Sequence, residues 1–183
     1  MAILDCALLT TDIGACTDTT SKGFAQKAVI INYSEIATKT ISVTDPLITA
    51  LSLGANTGQT VIVKGMRPFE ELTVTATERR TGMVFGNQLQ IPIKGLTPAT
   101  SKTVKTLADG RFAVILTQLG ETGNAKYPAM GFQGGLKASA VEWSAEEGAW
   151  IVTLDEASND QPVLFVWATD LATTDALVEG LLT

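Results

Sequence analysis

Histidine is missing from the whole chain of 183 residues. Without it no Ser-His-Asp or Cys-His nucleophile pair can be assembled, and every histidine-containing metal motif is excluded. No side chain then has an ordinary pKa near 6.5, so any assembly is expected to respond little to pH between about 6 and 8. Charge is also scarce, at 17% of residues against a usual share of about 25%. Cysteine is limited to Cys6 and Cys16, which form no CxxC pair and have no basic neighbour to lower their pKa. A disulfide across that short loop is conceivable; two free thiols in a reducing compartment is the favoured reading. No apolar run approaches the 18 or so residues that span a bilayer. The apolar start has no Lys or Arg before Lys22 and is interrupted by Asp5 and Asp12, which argues against a signal peptide and for use in a cytoplasm or in a particle assembled there.

Hydrophobic residues, by contrast, make up 45% of the chain, enough to drive collapse and to argue against disorder. The length suits one domain with a core that needs no metal or disulfide. Residues 1–24 lack a clean period and end in polar loop residues, and are read as an N-terminal arm ahead of a single domain over 25–183. Ala28 to Tyr33 and Thr38 to Val43 read as strands. Asp45-Pro46 starts a turn, and the stretch to Gly58 reads as a long loop with one helical turn over Leu47 to Leu51.

Gln59 to Lys64 is the next strand. Leu72 to Thr77 alternates apolar residues with threonine and returns, through Arg79-Arg80-Thr81-Gly82, as Met83 to Ile93, with Pro92 marking an edge or strand end. Pro98 to Leu107 is the internal helix, capped by Thr97 or Thr100 and stopped at Asp109-Gly110. Arg111 to Gln118 is a strand, residues 119–131 are loop-like, and Lys137 to Ser144 pairs with Ala149 to Asp155 across a turn ending in Gly148. Val163 to Ala168 is the last strand and Thr173 to Leu182 a closing helix capped by Thr173 or Thr174. The fold class is mainly β, a β-sandwich or partly closed barrel with one internal helix, a C-terminal helix and an extended N-terminal arm.

Motifs that could carry chemistry are weak. Gly131-Phe132-Gln133-Gly134-Gly135 does not fit a dinucleotide fingerprint and reads as a flexible or tight strand entry. Asp155 to Asp160 has donors suited to a hard cation but lacks EF-hand spacing, so it reads as a solvated turn. Asn32-Tyr33-Ser34 matches a glycosylation sequon that nothing in a secretion signal supports. Glu70-Glu71 would point to opposite faces of a strand and read as surface charges. Trp143, Trp150 and Trp167 are expected to pack into a core cluster. No catalytic, cofactor-binding or metal-binding residue is assigned, no cofactor is expected, and the chain is read as not an enzyme.

Charge position is more informative than the net value of -6. Residues 138–183 hold nine acids and no Lys or Arg, while residues 22–137 hold all 13 basic residues. If these segments formed different faces, one copy could attract another head to tail; if their strands intermix, the asymmetry cancels. Threonine is abundant on the outward side of the expected strands, which suits subunit packing.

The N-terminal arm leading into Ala28 to Tyr33, the strand Leu107 to Ile115, the stretch Met130 to Leu136, and the Trp-bearing strands followed by Thr173 to Val178 resemble virion structural proteins of tailed bacteriophages. The likeness is to tail tube proteins of phages and prophages of Bacteroidetes-type hosts, and it is one of pattern over most of the chain. It implies a β-sandwich with a flanking helix and an extended arm or long loop, here the loop at 45–58. It also implies stacked homo-hexameric rings forming a tube through which DNA passes without specific binding, contacts with other virion proteins, location in the virion, and no membrane. Two other roles stay open: a capsid decoration or head-tail joining protein, and a small-ligand or carbohydrate-binding module stacking its ligand on a tryptophan.

Overall fold

In a computed structural model the described residues are 24–42, 44–62, 72–79, 82–159 and 162–182. The arm at 1–23, with Cys6 and Cys16, and the Glu70-Glu71 pair lie outside them, and Phe24, the arm's last expected residue, already opens the first strand.

Two kinds of strand sequence produce two kinds of sheet. The unbroken apolar runs Ala28 to Ile31 and Phe112 to Leu116 are buried at every position, because their strands, β1 (Phe24–Asn32) and β7 (Phe112–Gln118), are covered on both faces. They lie in a seven-stranded sheet ordered β2-β3-β11-β8-β7-β1-β4. Its other members are β2 (Ile36–Ile41), β3 (Leu47–Leu53), β4 (Gln59–Ile62), β8 (Pro128–Met130) and β11 (Leu164–Val166). All neighbours are antiparallel except β11 and β3. The alternating sequences form the second sheet, ordered β5-β6-β10-β9, from β5 (Leu72–Arg79), β6 (Gly82–Lys94), β9 (Lys137–Ser144) and β10 (Ala149–Asn159). Neither order closes on itself, so the architecture is a β-sandwich.

Two cores follow from the period of two along β1 and β7. Ala28, Ile30, Val114 and Leu116 meet Leu89, Ile91, Val152 and Leu154 of the four-stranded sheet, with Val104 and Leu107 of helix α1 (Pro98–Asp109) closing the side. Val29, Ile31, Ala113 and Ile115 face the other way, against Ile48, Val166 and the residues Val178 and Leu181 at helix α2 (Leu171–Gly180). Helix α1 starts as the threonines dictate. Thr97 accepts from the Thr100 N–H, and the Thr100 hydroxyl accepts from the Thr97 N–H, a reciprocal cap.

Four expectations need correction. Residues 47–53 form β3 and carry no helical turn. A bulge explains the misreading: Thr40 pairs with Ala50 and Ile41 with Ile48, so Thr49 is an extra residue. The bulge gives buried Ile48 and Leu51 a spacing of three on one face, which imitates a helix. The segment 119–131 contains the short buried strand β8, whose existence depends on partners β7 and β11 and not on local propensity. The last strand is only Leu164–Val166, and those two end residues are its buried ones. Helix α2 is capped by Asp170, whose carboxylate accepts from the Thr173 N–H at 2.7 Å, leaving Thr173 and Thr174 inside the helix.

Pro92 sits within β6 opposite Ile151. Among the described residues β5 pairs with β6 only from Gly82 to Leu89, so no described strand needs a hydrogen bond from Pro92 on that flank.

Candidate functional site

The densest polar arrangement among the described residues gathers where the two sheets meet at one end, around residues 131–135. β8 ends at buried Met130, and the chain turns through Gly131 at φ 79°. A Cβ there would fall 2.4 Å from the Phe112 carbonyl oxygen, so the close approach to β7 demands glycine. Phe132 then plugs the second core. The Gly131 N–H donates to Glu156 Oε2 at 2.9 Å, and the Gly134 N–H donates to Oε1. Glu156, on β10, is only 4% exposed. Burying a carboxylate is costly unless donors meet it, and here two backbone amides do so in a small anion-holding turn. The contact ties the four-stranded sheet to the seven-stranded one.

On the carbonyl side of the same turn, the Tyr33 hydroxyl donates to the Gln133 carbonyl at 3.0 Å, and Lys39 Nζ donates to the Phe132 carbonyl. Lys39 also lies 5.1 Å from the centre of the Tyr33 ring. Asn87 pairs directly with Glu156 across β6 and β10, so the two side chains share a face. Asn87 is 4% exposed and its Oδ1 has no hydrogen-bond partner among the described residues. The glycine-rich segment is the tight one of the two strand entries that its sequence allows. The turn expected over 155–160 is instead continuous with β10 as far as Asn159. The burial of Glu156 was not legible, because a carboxylate that anchors a loop far away in sequence looks like any surface acid.

A second cluster holds α2. Lys126 Nζ lies 2.8 Å from Asp175 Oδ1, and the Tyr127 hydroxyl donates to the same oxygen at 2.7 Å. The Asp175 hydrogen bond raises Lys126 above its ordinary pKa, and burial, reinforced by Asp175, raises the Tyr127 phenol. Burial alone would raise the Asp175 carboxyl; the hydrogen bonds from Lys126 and Tyr127, with the ammonium charge, outweigh it and hold it below the usual range. Beside this cluster a shallow cleft of about 210 Å³ is lined by Asp45, Pro46, Leu47, Asn124, Ala125 and Phe165.

The three tryptophans do not form one cluster. Trp143 and Trp150 are cross-strand partners in edge-to-face contact with ring centres 5.4 Å apart. Trp150 packs on the first core, whereas Trp143 is 37% exposed. Trp167 lies beyond β11, beside β3 in the other sheet. Among the described residues no group of three or more His, Cys, Asp or Glu side chains could hold a metal ion, and no helix is long and apolar enough to cross a membrane. The chain matches no protein-family model, no curated protein and no solved structure.

Proposed function

We propose that the protein is a non-enzymatic structural subunit of a tailed-bacteriophage virion, a tail tube subunit that assembles into stacked hexameric rings around a DNA-conducting channel. The observation that carries this reading is β9. It stands at the end of the four-stranded order, with helix α1 packed beside it, and presents Val141 and Trp143, 38% and 37% exposed. A strand edge with apolar residues is a template for pairing with another chain. Opposite charge on two faces is a weaker driving force for this chain. The acids of residues 138–183 are divided between β9 and β10, which lie side by side in the four-stranded sheet, and helix α2, which packs on the seven-stranded one, while β11 carries none, so the asymmetry along the sequence does not collect on one face. Sedimentation and negative-stain electron microscopy of the purified full chain test the reading. Rings or tubes are expected; a monomer at every concentration reached would sink it. Co-assembly with capsid instead of tail components would favour a decoration or head-tail joining role.

Trp143 also supports a second reading, a carbohydrate-binding module, because a sugar could stack on its exposed ring. Protection of Trp143 fluorescence from acrylamide by a sugar, but not by raising the protein concentration, would favour that module over the assembling subunit.

A further inference from the structure

The polar junction between the sheets contains one feature that the hydrogen bonds among the described residues do not explain. Asn87 and Glu156 are each 4% exposed, face each other across β6 and β10, and both present oxygen acceptors. Glu156 is supplied by the Gly131 and Gly134 amides, but Asn87 Oδ1 is left without a donor. An amide oxygen buried without a donor costs on the order of 1–3 kcal/mol, so such an atom calls for a donor beyond the described residues. Both residues line a cavity of about 10 Å³ whose other walls include Ala129, Phe132, Gln133 and Leu164. That volume matches one water molecule, and a water needs two to four polar partners to stay.

We propose that this chamber is a binding site for a single ordered water, which donates one hydrogen to Asn87 Oδ1 and the other to the Glu156 carboxylate. Two acceptors aimed at one small space require a guest with two donors, and water is the smallest that has them. A hard cation suits the site poorly. Calcium takes about six to eight oxygens, whereas Ala129, Phe132 and Leu164 contribute apolar side chains to the walls and the volume leaves no room for a hydration shell. An apolar guest would leave the Asn87 oxygen as it stands. The water links β6 to the carboxylate that in turn holds the 131–134 turn, so the junction of the two sheets is mediated by three bodies: hairpin, solvent and turn. Because both of its partners are only 4% exposed, such a water is expected to exchange with bulk more slowly than surface water.

A crystal structure of the wild-type chain at a resolution that places ordered water, together with deuteron relaxation dispersion of the solution, tests this. The expected result is a density peak within hydrogen-bonding distance of both Asn87 Oδ1 and Glu156. One long-lived water should also be lost from the relaxation profile in Asn87→Leu, which removes the acceptor at similar volume. An empty chamber, a direct hydrogen bond from the Asn87 amide nitrogen to Glu156, or a peak at metal-ligand distances would overturn it. So would an unchanged count of long-lived waters in Asn87→Leu. If that variant does not fold, the wild-type density decides alone.

Discussion

Two glycines show how differently one residue type can be constrained. Gly131 and Gly148 both have left-handed backbone, at φ 79° and 60°. At Gly148 an added Cβ meets nothing within 4 Å, whereas at Gly131 it meets the Phe112 carbonyl at 2.4 Å and the Ala113 Cα at 3.0 Å, both backbone atoms that cannot swing away. Gly148→Ala is therefore expected to cost only the conformational strain, about 1 kcal/mol. Gly131→Ala adds a clash and should cost more than about 3 kcal/mol, since relief requires separating the turn from β7 and disturbing the two amides that serve Glu156. Urea denaturation of both variants measures this, and equal losses would show that the 131–135 turn yields easily. At this scale the sequence was informative about conformation but not about burial. The five residues from Gly131 to Gly135 read as a strand entry, flexible or tight, and nothing local indicated that their amides would meet a carboxylate 25 positions from Gly131.

Among the elements, helix α2 is the one whose docking can be traced to a few polar contacts. The Gly58 N–H donates to the Leu181 carbonyl at 2.7 Å, the Ala168 N–H donates to the Thr174 hydroxyl, and Lys126 and Tyr127 converge on Asp175. Asp175 has its pKa depressed in the folded state, so its contribution is present above the unfolded carboxyl's pKa and is lost as the pH falls through the lower, folded value. The Lys126 pKa is raised, so its share persists below its unfolded value and disappears only as strong alkali passes the folded one. Both side chains keep contact with solvent, at 21% and 36% exposure, which limits the pair to about 1 kcal/mol. Asp175→Asn should lose that amount at neutral pH, and the gap to wild type should narrow as the pH falls below the usual carboxylate range and close at the acid pH where the wild-type carboxyl is also neutral. A gap that stays constant down to that pH would assign the loss to shape and not to charge.

Legibility varied by element for a related reason. The hairpins β5–β6 and β9–β10 and the capped helix α1 are defined by neighbours in sequence, and their patterns predicted them. β3 and β8 are defined by distant partners, and in β3 the Thr49 bulge disguised a strand as a helical turn.

For the whole molecule, the missing histidine acquires a quantitative meaning once the folded environment of the other groups is known. The slope of stability with pH depends on the difference in bound protons between unfolded and folded chains. Among the described residues, Asp170 and Asp175 are shifted down, and Lys126 and Tyr127 are shifted up. All four shifts lead away from neutrality, so they add no proton uptake or release between about pH 6 and 8. The β-sandwich, with its two apolar cores, is consequently held by burial that is indifferent to pH over that interval. The urea midpoint should stay constant between about pH 6 and 8, with stability changing by less than about 0.5 kcal/mol, and the sedimentation profile should not change. Constant stability with a changing sedimentation profile would locate a titrating group at a contact between copies, since folding of the single chain would then be pH-independent while association was not. A change in both would implicate a group outside these four, such as an α-amino group, ordinarily near 8, or the two cysteine thiols, ordinarily near 8.5.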